Sequence, residues 1–353
     1  APGQKVIAVE RPVSLETRPR TSREDLRALI HEELAHLIEG SCCLLDVPGH
    51  RNIGDLLIWR GEMDFLSSIG KKPGYVSATG SCDERRVAGY DTILLHGGGN
   101  FGDLWHRHQL FRESIVSRFR DRRVILFPQT VHFQNPDNLE SARQSFGTHP
   151  DLYLCARDAV SQAFLERHFP DNEVRLLPDM AFCIDGLDRR LAGPRRDQWL
   201  LLERIDQESA GRSWPLDPER FEVRDWPTLS APLHQRIERR LLTDAHRAAH
   251  RLRLRLPPGK GSTDGFSQHL TEKAIRIGAE FVSAYELVVS TRLHGHILCL
   301  LLGIPNVLVD NSYGKNRTFF DAWTCDFPGT GFASDIAGLR KATQAMGFLP
   351  AGG

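Results

Sequence analysis

No run of apolar residues in this 353-residue chain approaches the ~20 that a membrane-spanning helix needs. Net charge is missing too: 45 Lys and Arg offset 45 Asp and Glu, which argues against bulk affinity for nucleic acid. The opening stretch APGQKVIAVERP carries no signal-peptide core, and the 7 cysteines include no CxxC pair. The expectation is a cytoplasmic protein whose thiols are reduced and buried. No serine has the flanking glycines of an esterase nucleophile elbow. Gly70-Lys71 and Gly259-Lys260 both lack the upstream glycine and the following Ser or Thr of a P-loop. His31 and His36 of HEELAH resemble a zinc helix, but five residues is about 140° around a helix, so they do not share a face.

What is present is alternation. After a lead-in over 1–21 with Pro2, Pro12 and Pro19, Ser22 is placed to cap a helix from Arg23 to Ile38. Apolar strands then read at CCLLDV, GYVSAT, DTILLH, RRVILFPQT, DLYLCAR and EVRLLPD, with helices read after the first (through Leu66), the third (Arg107 to Phe119) and the fifth (Asp158 to His168). After a break at 185–194 the pattern resumes with QWLLLE, RFEVRDW, ELVVST and IPNVLV. Nearly all-apolar strands alternating with helices mean parallel sheets covered on both faces. The expected fold is α/β and GT-B-like: two doubly wound, Rossmann-like parallel-sheet domains over 22–188 and 191–332, facing a cleft. A helix within 333–353 is expected to cross back to the first domain. Ligands in such folds gather at the carboxyl ends of the strands.

Two stretches sit at those ends. LLHGGGNFGDLW, residues 94 to 105, fits three readings. As a dinucleotide fingerprint it lacks the acidic residue near the end of the next strand, which closes in Pro128-Gln129-Thr130. As an esterase oxyanion loop it lacks its serine. What remains is a strand end whose glycines bare backbone N–H groups beside a following helix, suited to an anionic or polar ligand, or simply a tight turn. The second stretch, STRLHGHILCLLLGIPNVLVDNSYGKN at 290–316, sets Arg292, Leu293 and His294 at a strand-to-helix turn. It delivers Asp310, Asn311 and Lys315 in the next loop. In a parallel sheet both loops open at one edge, so two cations and an imidazole converge there; a structural Arg–carboxylate pair beside a satisfied histidine is the plainer alternative.

Taken in order, HGGGNFGDLW, CARDAVS, STRLHGH and SYGKN resemble the polysaccharide pyruvyl transferase family over roughly residues 40 to 325, with NIGD at 52–55 and PQT at 128–130 as further elements. The resemblance implies a GT-B-like enzyme that moves the enolpyruvyl unit of phosphoenolpyruvate onto a sugar as a cyclic ketal and releases phosphate, with no further cofactor and no metal. It implies donor-binding or catalytic roles for Arg157, Arg292, His294 and Lys315, with Leu293 and Asn311 beside the donor. It implies an acceptor-contacting role for His108. Loops over 49–56, 100–109 and 129–138 line the acceptor side in the same reading, with His108, Asn100 and Gln129 as hydrogen-bonding candidates and Gly98 and Gly99 as further acceptor-binding residues. The sequence departs from the family at His296, which is either a second polar contact or a resident of the helix's first turn.

The residue chemistry agrees with that implication. Phosphoenolpyruvate carries a carboxylate and a phosphate together, which calls for fixed cations, bidentate from Arg and point-like from Lys. His294 has the pKa range for a proton that must be given and taken near neutrality. The expected partners are therefore phosphoenolpyruvate and a sugar or lipid-linked oligosaccharide, not nucleic acid. The arginine-rich helix over 233–255 is either a solvated face or a peripheral contact with the inner membrane surface. A nucleotide-sugar glycosyltransferase is the rival enzyme class, and a carbohydrate-binding module the non-enzymatic one.

Overall fold

The computed structural model of the protein describes residues 22–50, 52–187, 198–203, 219–227, 263–310 and 314–350. The lead-in, Asn311 and the basic helix expected over 233–255 lie outside the described residues.

Cys42–Leu45 (β1) and Thr92–Leu95 (β3) are buried along their whole length, as strands are when helices cover both faces. With Tyr75–Ser77 (β2), Gly98–Gly102 (β4), Arg123–His132 (β5), Leu152–Ala156 (β6) and Glu173–Leu176 (β7) they form a parallel sheet. Its order is β2-β1-β3-β5-β6-β7, and β4 also pairs with β5. Trp199–Leu202 (β8), Phe221–Arg224 (β9), Val288–Ser290 (β10), Asn306–Val309 (β11) and Thr330–Ala333 (β12) form a second parallel sheet, ordered β12-β11-β10-β8-β9. Each sheet starts in its middle, adds a strand on one side and then crosses to the other. The reversals fall between β1 and β3 and between β8 and β10, where crossovers diverge and open a crevice at the carboxyl ends.

Three features differ from the sequence reading. The glycine stretch is not a loop. The backbone stays in the sheet as β4: Leu95 faces Leu126 and Gly98 faces Gln129 before the register shifts at Phe101. The reason is β5, which runs for 10 residues and offers ladder groups beyond the end of β3. The Ile336–Ala345 helix packs on β11 and β12, with Leu339 in one cluster with Val307 and Val309, instead of crossing back to the first sheet. β12, absent from the sequence reading, supplies that surface. A helix over Pro136–Phe146, capped by Asn135 with Pro136 in its first turn, was also not anticipated.

The two sheets are joined by a common core. Leu26, Ile53 and Leu57 from the first half share an apolar cluster with Leu200, Leu202, Ile275, Ile297 and Leu298 from the second. The Ile53–Ser68 helix lies against both the Thr263–Ser283 and the Leu293–Leu302 helices. Each such side chain contributes about 1.5–3 kcal/mol on burial, so packing as well as chain connection holds the halves in register. Five of the cysteines, Cys299 among them, are buried free thiols, whereas Cys82 is half-buried and Cys325 exposed. Among the described residues no helix is long and apolar enough to cross a membrane.

Candidate active site

The site begins where charged residues follow apolar strands. Arg157 comes directly after β6, and its Nε donates to Thr130 Oγ1 at 2.8 Å, its Nη1 to Asp179 Oδ2 at 2.7 Å. Asp179, three residues past β7, is 1 % exposed. Arg157 Nη2 lies 3.2 Å from where a Cβ on residue 99 would sit, so Gly99 leaves room for the guanidinium against the strand.

His294 reaches this group from the other sheet. It occupies the first turn of the Leu293–Leu302 helix, and its Nε2 lies 3.4 Å from Asp179 Oδ2, an ion-pair distance without hydrogen-bond geometry. A Cβ on residue 54 would meet His294 Nδ1 at 2.6 Å, closer than real contacts allow. The Gly54 of NIGD is therefore what lets the histidine seat against the 53–68 helix. Burial alone would raise the Asp179 carboxyl; His294 first, then Arg157, hold it well below the usual carboxylate range. Trp323 Nε1 donates to the Arg157 carbonyl at 2.8 Å and clamps the same seam.

Arg292 turns elsewhere. Its guanidinium forms a bidentate pair with Asp225, past β9, at 2.6 and 2.7 Å. Lys315 opens the short Lys315–Phe319 helix, and its neighbour Asn316 donates to the carbonyls of Thr291 and Val309 at 3.2 and 2.7 Å. The RLH turn and the lysine loop are thus tied at one edge, while Arg292 and His294 diverge, towards Asp225 and Asp179 respectively. His296 settles as structural: it is fully buried and bonded through its two ring nitrogens to Asn306 and Thr324. Burial pushes it down to about 4. Leu293 heads the same helix.

Behind the glycine strand lies a second charged layer. Asp46, at the carboxyl end of β1, is fully buried; Thr79 Oγ1 and His108 Nδ1 each lie 2.6 Å from its Oδ1, and Arg112 Nη2 is 2.7 Å from its Oδ2. Arg112, also fully buried, donates to the His96 carbonyl at 3.1 Å and to Asn100 Oδ1 at 2.7 Å. Glu62 accepts the Gly97 N–H and pairs with His96 Nδ1, both at 2.8 Å. Burial alone would raise the Asp46 carboxyl, but Arg112 and then His108 hold it below its ordinary value.

The sequence-predicted residues thus separate. Arg157, His294 and Gly99 come together. His108 is half-buried, with 22 % of its side chain exposed. Gly98 is buried in β4, and Asn100 is occupied by Arg112. Gln129 is completely buried and donates to the His96 carbonyl at 2.6 Å, so it shapes the strand from behind and does not line a surface. Sequence reasoning missed Asp46, Glu62, Arg112 and Asp179. Asp46 and Asp179 carried a signal, an acid just after an apolar strand; Glu62 and Arg112 sit inside helices, where nothing separates them from solvated charges.

A family model described as polysaccharide pyruvyl transferase matches residues 52–313. A Bacillus subtilis protein bearing the pyruvyl transferase name EpsO is 34 % identical over 292 residues, covering 81 % of this chain and 86 % of that one. Pyruvyl transferase 1 of Schizosaccharomyces pombe is 31 % identical, covering 79 % and 69 %. A solved structure of an uncharacterised Klebsiella pneumoniae protein has the same fold at TM-score 0.55 and 18 % identity, over 88 % of this chain and 98 % of that one.

Proposed function

The chain belongs to the polysaccharide pyruvyl transferase family, and from that premise we propose that it transfers pyruvate from phosphoenolpyruvate to two hydroxyls of a sugar in a polysaccharide precursor, forming a cyclic ketal and releasing phosphate. We read the two sheets with their apposed crevices as a GT-B-like arrangement, with the acceptor on the first sheet and the donor between the two. The observation that carries the reading is the meeting of Arg157, Asp179 and His294 across the seam. A dianionic donor needs cations held from more than one side, and a proton-transfer group must stand beside them. Arg157 has a terminal nitrogen turned to the glycine strand, Arg292 presents a guanidinium whose orientation Asp225 fixes, and Lys315 follows on the adjoining loop.

In this mechanism C3 of the donor takes a proton, which makes C2 electrophilic. One acceptor oxygen bonds to C2, the C2–O bond to phosphate breaks with its electron pair on phosphate, and the second acceptor oxygen completes the ketal. Of the two hydroxyl protons, one balances the new methyl group and the other leaves on phosphate. We assign the proton movement at C3 to His294, an imidazole held at the seam beside Asp179 and Arg157, histidine being the side chain most often used for proton transfer. The test is phosphate release from phosphoenolpyruvate that depends on an added sugar. Release is expected in the wild type and should be severely reduced in Arg292→Lys, which keeps the charge but loses the planar fork that both donor anions and Asp225 engage. Thermal protection by a nucleotide sugar, with no release from phosphoenolpyruvate, would instead identify a glycosyltransferase.

A further inference from the structure

The donor-side assignment leaves one requirement open: each acceptor hydroxyl must lose a proton as its oxygen bonds to C2. The described residues hold a constellation suited to that task which neither the RLH turn nor the seam uses. His108 Nδ1 lies 2.6 Å from Asp46 Oδ1. A neutral imidazole bonded in this way to a carboxylate carries its proton on Nδ1 and keeps a lone pair on Nε2. Asp46 is fully buried and is held by Arg112 and the Thr79 hydroxyl, whereas the His108 side chain retains 22 % of its surface in solvent. A half-buried imidazole backed by a buried, fixed carboxylate is a built arrangement, unlike a mobile surface pair.

Two further observations place it in the reaction. Asp46 is, among the described residues, the one non-glycine with a left-handed backbone, at φ 64°, and it sits at the switch point between β1 and β3, where ligands enter such sheets. From there contacts run without a gap to the seam: Asp46 to Arg112, Arg112 to Asn100, Gly99 beside Arg157, Arg157 to Asp179, and Asp179 to His294.

We propose that His108 is the base that takes the proton from an acceptor hydroxyl through Nε2, and that Asp46 is the positioning residue that fixes its ring and tautomer. The proposal rests on the ketal-transfer reading given above. The O–H electron pair becomes the new O–C2 bond, the proton goes to His108 Nε2, and the imidazolium formed is stabilised by Asp46. His108 then passes that proton to the departing phosphate, which regenerates the neutral ring, so the balance needs no other reactant.

The experiment compares the wild type, His108→Gln and Asp46→Asn on the full chain. Asn tolerates the left-handed backbone at position 46. Arg112 there claims the remaining oxygen, so the new amide N–H faces the ring and moves the imidazole proton to Nε2. In phosphate release with methyl glucoside, galactoside and mannoside as acceptor probes, His108→Gln is expected to lower kcat by ~10²–10⁴-fold, and Asp46→Asn to lower it in the same direction, both with an unchanged KM for phosphoenolpyruvate. Wild-type kcat in His108→Gln, or a loss confined to KM for phosphoenolpyruvate, overturns the proposal. Independently of turnover, long-range proton–nitrogen NMR on 15N-histidine protein reads the ring, with His108 assigned by its disappearance in His108→Gln. A proton on Nδ1 in the wild type that shifts in Asp46→Asn is expected; a proton on Nε2 in the wild type, or no change in the variant, overturns the dyad. Should no hexoside support release by the wild type, the substrate reading fails, and the NMR result still decides the dyad.

Discussion

The carboxyl edges of the two sheets handle charge in opposite ways. On the first, Asp46, Glu62, Arg112 and Asp179 are at most 1 % exposed, and each is paired: Asp46 with Arg112, Asp179 with Arg157, and Glu62 with His96. On the second, the Arg292 and Asp225 side chains keep 11 % and 16 % of their surface, and His294 keeps 14 %. A buried ion pair is set by its surroundings and resists rearrangement, because separating it strands a charge in low dielectric. A partly exposed group can exchange its protein partner for a ligand at much lower cost. The buried pairs of the first edge therefore act as the frame that fixes where His108 and Arg157 stand, and the second edge brings further partly exposed groups able to engage ligands.

That contrast is sharpest in catalysis. His294→Ala is expected to lower acceptor-dependent turnover by ~10²–10⁴-fold, equivalent to about 3–5 kcal/mol, with a smaller loss of stability than Arg112→Met, because Asp179 keeps Arg157 at 2.7 Å. Turnover left intact would return His294 to a packing role against Gly54. The converse holds on the first edge. Arg112→Met leaves Asp46 buried without its cation and should lose about 3–5 kcal/mol of stability, read from urea unfolding. A loss below about 1 kcal/mol would mean that the layer is looser than its burial indicates.

The smallest effect compares two histidines on one helix. His296 is held neutral by burial, with its pKa lowered to about 4, whereas the unfolded chain takes up a proton near pH 6.5. Between those values the unfolded state binds more protons, so stability is complete above pH 6.5 and falls as pH drops towards 4. The contribution is roughly 3 kcal/mol at most. His296→Gln should flatten the fall in urea midpoint between pH 7 and pH 5 without altering the reaction's pH dependence. An unchanged slope would show that another group carries it.

Much of the fold was legible. All-apolar strands such as CCLL and VILF announced parallel sheets, and the strand-to-helix turn expected at Arg292 to His294 opens the Leu293–Leu302 helix. The glycine strand was not legible, because residues without side chains carry no periodicity and only the unpaired edge of β5 decides their conformation. Arg157 and His294 were identifiable as strand-end charges of the expected family pattern. Asp179 carried the same kind of strand-end signal, but that it is their common partner was not legible, since it lies 22 residues from Arg157 and 115 from His294 in this chain.

By itself, then, the sequence determined the alternation of strands and helices and the residue types available at the strand ends, because periodicity and backbone preference are local. Only the tertiary structure decided which of those charges meet. It sent Arg292 to Asp225 and His294 to Asp179, and it buried His296 against Asn306 and Thr324 although it stands two residues from His294. Successive helical positions point about 100° apart, so neighbours in sequence face different partners, and what each faces is set by the packing of the second sheet against the first.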